Sequence, residues 1–159
     1  MESNPELELA WQLVEYTGVN VFLTGKAGSG KTTFLRSLRE RSTKRMVVLA
    51  PTGVAAMNAG GVTIHSFFQL PFAPFVPESH FGGEAKYQYR FGKEKVNILR
   101  SLDLLVIDEI SMVRADLLDS VDDVLRRYRD RHKPFGGVQL LMIGDLQQLS
   151  PVVKEQDQQ

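Results

Sequence analysis

The stretch "VNVFLTGKAGSGKTTF", residues 19–34, joins a short apolar run to a loop with three glycines and then to a run that suits a helix. Such an apolar run is typical of a strand buried on both faces of a sheet. A strand that passes through a glycine-rich loop directly into a helix predicts an α/β fold with a mostly parallel sheet. The loop contains two lysines, Lys26 and Lys31.

The spacing of the glycines selects one of these lysines. Residues 25–32 fit the pattern G-x-x-x-x-G-K-S/T with Lys31 as the lysine, whereas Lys26 would need a glycine at position 20, where Asn20 stands, and a hydroxyl at position 27, where Ala27 stands. In such a loop the backbone N–H groups point at phosphate oxygens, and the helix adds its positive end. Lys31 is therefore the candidate for the β- and γ-phosphates, and the Thr32 hydroxyl for magnesium. The predicted nucleotide-binding residues of this loop are Gly25, Ala27, Gly28, Ser29, Gly30, Lys31, Thr32 and Thr33.

Three further apolar runs predict the rest of the sheet. The predicted strands are residues 19–24, 45–50, 102–107 and 138–143. The predicted helices are residues 5–16, 31–41, 53–59, 93–101 and 115–131. In a parallel sheet built from such βαβ units, the ligand lies at the carboxyl ends of the strands.

The third predicted strand ends in an acidic pair, in "LLVIDEIS" (104–111). Asp108 is placed to hold magnesium, and Glu109 to orient or deprotonate a water. Asp103 is a poorer candidate, because the strand puts it about 16 Å away. The second acid favours hydrolysis of a nucleotide, since a kinase needs no water-activating glutamate. An ordinary acidic turn stays open as the alternative.

Polar residues also follow the other two strands. In "IGDLQQLSPV" (143–152), an acid and an amide follow the strand and are placed to sense the γ-phosphate or its attacking water. In "APTGVAAMNAGGVTIHSFF" (50–68), hydroxyl and imidazole donors stand among glycines that permit close backbone approach. These donors are Thr52, Thr63, His65 and Ser66. Turn formation explains the second stretch equally well.

Composition bounds the class of protein. A chain of 159 residues with 43% hydrophobic residues can bury one core and predicts one compact domain. Nineteen basic and nineteen acidic residues cancel, so net charge predicts neither a nucleic-acid-binding nor a membrane-surface protein. Cysteine is absent, which excludes disulfides, thiolate zinc sites and cysteine nucleophiles. The acidic N-terminus and the absence of a long apolar run predict a soluble protein of the cytoplasm without a membrane partner.

Aromatic residues concentrate in the segment 67–91. It holds eight of the fourteen aromatic residues of the chain, which has nine Phe, four Tyr and one Trp. Prolines in the segment oppose a long helix. The rings suit base stacking beside Lys86, Arg90, Lys93 and Lys95, and they equally suit a small core that covers the sheet. A second basic run, 126–133, is expected to complement a helix carboxyl end and the acids at 116–123.

Four stretches, "GKAGSGKTT", "APTGVAAMNAGGVTIHSFF", "LLVIDEISMVRADLLD" and "GDLQQLSPV", occur in this order. They resemble motifs I, Ia/Ib, II and III of the PIF (petite integration frequency) family of superfamily-one DNA helicases, which are similar to RecD-type helicases. The resemblance implies a three-layer RecA-like ATPase domain with strand order 1-4-3-2, so that the first strand lies at an edge of the sheet. It also implies 5′-to-3′ movement along single-stranded DNA, coupled to ATP hydrolysis, in repair, recombination or replication.

The resemblance also implies residue roles. Lys31 and Thr32 bind Mg²⁺-ATP, Asp108 holds the magnesium, Glu109 activates water and Gln148 contacts the γ-phosphate. Lys31, Glu109 and Gln148 are thus the expected catalytic residues. The residues expected to contact DNA are Thr52, Gly53, Thr63 and His65.

The implied organisation is an N-terminal helix (1–18), an ATPase domain (19–153) and a linker (154–159). An insertion similar to subdomain 1B covers about 68–92, and a second RecA-like domain of the same polypeptide completes the motor. Two features depart from the family: the position of its adenine-reading glutamine falls at Glu8, with Gln12 one turn later, and motifs IV to VI are missing. We therefore expect the first half of a helicase. A nucleotide-dependent switch or scaffold, and a P-loop kinase, stay open as alternatives.

Overall fold

A computed structural model describes residues 5–24, 30–70 and 91–144. The helices in these ranges are α1 (Pro5–Tyr16), α2 (Lys31–Arg41), α3 (Gly53–Ala59), α4 (Ile64–Phe68), α5 (Lys93–Ser101) and α6 (Ala115–Tyr128). The strands are β1 (Val21–Thr24), β2 (Met46–Ala50), β3 (Val62–Thr63), β4 (Leu104–Ile107) and β5 (Gln139–Gly144). Two short 3-10 turns cover Ile110–Met112 and Pro134–Gly137. None of the helices in the described ranges has both the length and the apolar character needed to cross a membrane.

The strands form one parallel sheet in the order β1-β5-β4-β2-β3. The four predicted strands keep the predicted order 1-4-3-2, with β1 at one edge, and β5 separates β1 from β4. This confirms the α/β class and puts β5 between β1 and the strand that ends before Asp108.

The two-residue strand β3 and the helix α4 were not predicted. β3 pairs Val62 with Leu49 and Thr63 with Ala50. It approaches β2 closely because Gly61 has no side chain: a β-carbon there would lie 2.0 Å from the Val48 carbonyl oxygen. The prediction of a helix over 115–131 was too long. α6 ends at Tyr128 because the next residue, Arg129, leaves the helical conformation (φ −121°, ψ −90°).

Helices cover both faces of the sheet, so the domain has three layers. α1 and α2 pack on one face through Trp11, Val14 and Leu38. α4, α5 and α6 pack on the other face through a second cluster that includes Phe68 and Leu125. The four residues of β4 are all buried and alternate between the two clusters, as expected for a strand covered on both sides.

The described ends of the aromatic segment belong to the core. Phe67 and Phe68 are buried and meet edge to face, with ring centroids 4.9 Å apart. The Lys95 ammonium lies 4.0 Å from the centre of the Phe67 ring and donates to the Phe67 carbonyl at 2.7 Å. Burial lowers the pKa of Lys95. The rest of this segment, including most of the proposed 1B-like insertion, lies outside the described residues.

The second basic run complements α6, as expected. Arg126 pairs with Asp122 at 3.0 Å, and Arg127 pairs with Asp123 at 2.9 Å, each one turn earlier. The Arg129 guanidinium donates to backbone carbonyls at the end of α5 and in the turn after α6. Arg129 therefore ties the end of α5 to the turn after α6, whereas Arg126 and Arg127 form ion pairs within α6.

Candidate active site

Gly30 sets the start of α2. Its backbone has φ 94° and ψ 8°, a left-handed conformation that favours glycine. Its carbonyl accepts a hydrogen bond from the Phe34 N–H at 2.8 Å, which begins the helix. A β-carbon at this position would also lie 3.3 Å from Leu7 Cδ1 of α1. Gly30 therefore fixes the start of α2 and, with it, the position of Lys31.

The remaining residues of the predicted phosphate loop, Gly25, Ala27, Gly28 and Ser29, lie outside the described residues, and so does Gln148. Their predicted roles stay predictions.

The acidic pair directly follows the buried strand β4. Asp108 is 3% exposed, and its N–H donates to the Leu49 carbonyl at 2.8 Å, which extends the pairing of β4 with β2. Its carboxylate accepts a hydrogen bond from the Glu109 N–H at 2.9 Å. Glu109 itself adopts the left-handed conformation (φ 56°, ψ 46°), which is uncommon for a residue with a side chain. The chain therefore turns sharply between the two acids and the 3-10 turn that follows.

Lys31 reaches both acids across the gap that β5 spans. Its Nζ lies 3.2 Å from Asp108 Oδ1 and 3.3 Å from Glu109 Oε2. Burial alone would lower the pKa of Lys31, but the charges of the two carboxylates and the hydrogen bonds to them raise it above its ordinary value. The lysine is therefore a cation at neutral pH, and the structure brings together three residues that the sequence predicted to share a site.

A cleft of about 860 Å³ opens beside these residues, a size in the range of ligand pockets. Its polar lining residues are Lys31, Thr32, Thr33, Thr52, Asn58, Asp108 and Glu109. Asn58 and the apolar Met112 were missed in the sequence. Asn58 follows the cleft-lining Val54 by one helical turn, so helical spacing was the signal that pointed to it.

The oxygen groups of the cleft fit a magnesium ion. Magnesium takes hard oxygen ligands and is held by one or two carboxylates together with phosphates rather than by an all-protein cage. Thr32, which carries a hydroxyl, and Asp108, which carries a carboxylate, both line the cleft. Within the described ranges no group of three or more His, Cys, Asp or Glu residues is arranged to hold a metal. A shared site of this kind therefore suits the residues present better than a complete metal cage.

The residues expected to contact DNA lie at the carboxyl ends of β2 and β3. The Thr52 hydroxyl caps α3 by accepting from the Ala55 N–H at 3.1 Å. The Thr63 hydroxyl caps α4 by accepting from the Ser66 N–H, also at 3.1 Å. Both threonine hydroxyls thus have a structural role as helix caps.

A role in DNA binding stays a prediction for Thr52, Gly53, Thr63 and His65. A hydroxyl that accepts a capping bond still has a proton to donate. A β-carbon at Gly53 would meet none of the described residues within 4 Å, so these residues leave the space beside its backbone open.

Glu8 and Gln12 lie one turn apart on the exposed face of α1. The Gln12 amide donates to the Glu8 carboxylate at 3.1 Å. Neither residue is among those that line the cleft.

A parallel sheet in this strand order, a glycine-lysine-threonine sequence leading into α2 and an acid pair at the carboxyl end of β4 define a RecA-like P-loop domain. The chain belongs to the PIF1-like helicase family, whose sequence profile matches residues 8–159.

Individual relatives agree with this assignment. The chain is 41% identical over 149 residues to the ATP-dependent DNA helicase PIF1 of Candida albicans, covering 87% of this chain and 15% of that protein. It is 40% identical over 155 residues to the ATP-dependent DNA helicase Pif1 of Bdellovibrio bacteriovorus, covering 96% and 34%. The crystal structure of Pif1 helicase from Bacteroides in complex with ADP-AlF3 and ssDNA superposes with a TM-score of 0.82 at 50% identity, covering 98% and 35%. The chain thus spans about a third or less of the length of these relatives.

Proposed function

We propose that this chain is the ATP-binding and ATP-hydrolysing domain of a DNA helicase that moves 5′ to 3′ along single-stranded DNA. The observation that carries the proposal is the Lys31 ammonium, held within 3.3 Å of two carboxylates at the carboxyl edge of a parallel sheet. Membership of the PIF1-like helicase family supports it, as do relatives named ATP-dependent DNA helicases. One relative has been crystallised with ADP-AlF3 and ssDNA.

The cleft has the groups that binding of a triphosphate requires. The β- and γ-phosphates replace the carboxylates as partners of Lys31, since a charge-assisted contact to phosphate is at least as strong. Thr32 and Asp108 would hold Mg²⁺, which neutralises phosphate charge when bound. The loop residues Gly25 to Ser29 supply backbone N–H groups to the same phosphates.

Glu109 is the proposed general base. When Lys31 turns to the phosphates, the Glu109 carboxylate loses its ion-pair partner and is available to accept a proton from water. A positioned general base contributes about 10²- to 10⁴-fold to the rate. Gln148 is proposed to contact the γ-phosphate, and Thr52, Gly53, Thr63 and His65 to contact the DNA strand.

A second RecA-like domain of the same polypeptide completes the proposed motor. Arginines from that domain stabilise charge on the transferring phosphoryl group, and such a residue contributes about a thousandfold or more to the rate. Movement along a strand also needs two domains that close and open around one nucleotide. The biological role proposed for the motor is DNA repair, recombination or replication.

The test compares residues 1–159 with the full-length product. We expect the short chain to bind Mg²⁺-ATP but to hydrolyse it slowly and to separate no strands. The full-length product should hydrolyse ATP faster in single-stranded DNA and unwind substrates with a 5′ tail but not a 3′ tail. Glu109→Gln in the full-length product should lower turnover about 10²- to 10⁴-fold with little change in ATP affinity.

Other outcomes identify other functions. ATP hydrolysis that DNA does not stimulate would favour a nucleotide-dependent switch or scaffold, and phosphoryl transfer to a small acceptor would favour a kinase. Robust unwinding by residues 1–159 alone would contradict the need for a second domain.

A further inference from the structure

We propose that Gly144 is a positioning residue for Glu109: the missing side chain at the end of β5 leaves the space in which the acidic turn holds Glu109 at the cleft. The proposal rests on the proposed function, in which Glu109 is the general base. It concerns Gly144, the last residue of β5, which opens the stretch "GDLQQLSPV".

The space beside Gly144 is filled by the turn that follows Glu109. A β-carbon added to Gly144 would lie 2.8 Å from Ile110 Cγ2, 3.4 Å from the Ser111 nitrogen and 3.5 Å from the Ile110 nitrogen. Gly144 is not among the glycines with a left-handed backbone. The position therefore needs glycine for space and not for conformation.

Ile110 has little freedom to move away from an added methyl group. Cγ2 branches from the β-carbon, so it moves only if χ1 rotates or the backbone shifts. The Ile110 side chain is half-buried and packs against the α4–α6 core. A change of rotamer would push it into a close-packed interior.

β5 has equally little freedom to retreat. It is paired on both sides, with Thr24 of β1 opposite Gly144 and Ile107 of β4 opposite Met142. A clash at Gly144 is therefore relieved by the weaker element, the 3-10 turn Ile110–Met112.

A shift of this turn reaches Glu109 directly. Glu109 precedes Ile110, and its carbonyl accepts from the Met112 N–H at 3.0 Å within the same turn. Its left-handed backbone (φ 56°, ψ 46°) occupies a narrow allowed region, so displacement of Ile110 changes the direction of the Glu109 side chain. Gly144 thereby links the end of β5 to the general base.

The test uses the full-length product with Gly144→Ala. We expect turnover of DNA-stimulated ATP hydrolysis to fall about tenfold or more, because displacement of a catalytic group by about 1 Å costs up to a hundredfold. ATP affinity should change less than about twofold, since Lys31 and Thr32 lie on a different element. Gly18→Ala is the matched control, because a β-carbon there meets no atom of the described part of the chain within 4 Å.

A second-site change makes the test specific. Ile110→Leu removes the β-branch methyl that clashes but keeps the side-chain volume. In the Gly144→Ala background it should restore most of the lost turnover, while alone it should leave turnover near that of the parent protein. A purely structural defect at Gly144 would not be corrected by this one change.

Amide hydrogen exchange provides a readout that does not depend on hydrolysis. Gly144→Ala should speed exchange at the Met112 and Val113 amides, which bond to the Glu109 and Ile110 carbonyls, and Ile110→Leu should slow it again. Unchanged exchange and unchanged turnover in Gly144→Ala would overturn the inference, as would a turnover loss that Ile110→Leu does not relieve. If the parent protein does not hydrolyse ATP, the proposed function is wrong. The exchange measurement then still tests whether Gly144 is needed for the packing of Ile110 and the 3-10 turn.

Discussion

Lys31 and Lys44 lie at opposite ends of the strands of the same sheet, Lys31 at the carboxyl ends and Lys44 at the amino ends. Their ammonium groups bind oxygen atoms in different ways. The Lys44 ammonium donates to the carbonyls of Val14 and Thr17, at 2.5 and 2.7 Å, and to the side-chain oxygen of Gln139 at 2.7 Å. The partners of Lys31 are two carboxylates that face an open cleft. Lys44 is therefore satisfied by neutral groups of the fold, whereas the partners of Lys31 can be replaced by a ligand.

We call Glu15, Ser42, Thr43, Lys44 and Gln139 the amino-edge cluster. The Glu15 carboxylate accepts from the Ser42 hydroxyl and from the Thr43 N–H and hydroxyl. The buried Gln139 amide donates to the Val19 carbonyl at 2.7 Å. The cluster ties α1 to β5 and to the loop before β2. The comparison teaches that polar groups which stabilise the fold are saturated within it, while those at the candidate active site keep charges that a ligand can use.

The largest effect is expected for Lys31→Ala. Removing the ammonium should weaken ATP binding by about 1.5–3 kcal/mol, or about 10- to 150-fold, because a charge-assisted contact to phosphate is lost. Nucleotide titration measures the affinity. Lys26→Ala is the control and should have a smaller effect, since the motif spacing excludes Lys26. Equal losses for the two variants would show that the assignment of the lysine is wrong.

A stability effect with no effect on ATP is expected for Lys44→Met. The variant leaves two carbonyls and the Gln139 oxygen without their donor, so the free energy of unfolding should fall by about 1–3 kcal/mol. Urea denaturation measures this change. Lys93→Met, an exposed lysine at the start of α5, should change stability by less than about 0.5 kcal/mol. Weaker ATP binding by Lys44→Met would contradict the view that the amino-edge cluster stabilises the fold while the Lys31 site binds the ligand.

Much of the fold could be predicted from the sequence because its signals are local. The bounds predicted for α1, α2, α3 and α5 agree with the structure, since glycine, proline and apolar spacing mark helix ends within a few residues. Asp108 and Glu109 could be predicted for a similar reason, because they directly follow an apolar strand in a chain whose ligand edge is set by topology.

The remaining features depend on contacts between distant parts of the chain. Lys44 and Gln139 are 95 residues apart, and no periodic pattern links them. The fit of Gly144 against Ile110 is likewise a tertiary contact, and β3 is too short to give an apolar run. The sequence therefore predicted the charged residues that line the cleft better than the residues that hold them in place.

The smallest effect concerns the pH dependence of the amino-edge cluster. Burial alone would raise the pKa of Glu15, but hydrogen bonds from Ser42 and Thr43 and the charge of Lys44 outweigh it and lower the pKa below the usual 4.5. A carboxyl whose pKa is lowered by folding stabilises the protein above its unfolded pKa, and this contribution is lost as the pH falls through the folded pKa.

Glu15→Gln should accordingly lower stability near neutral pH but make little difference in acid. Urea denaturation of both proteins from about pH 7 down to about pH 3 should show the gap between them closing as Glu15 is protonated in the parent. The gap should be smaller than the loss in Lys44→Met, because Glu15 is partly exposed and water screens its interactions. Stability curves that stay parallel over the whole range would contradict the shifted pKa, and with it the view that the amino-edge cluster is held by a charged Glu15.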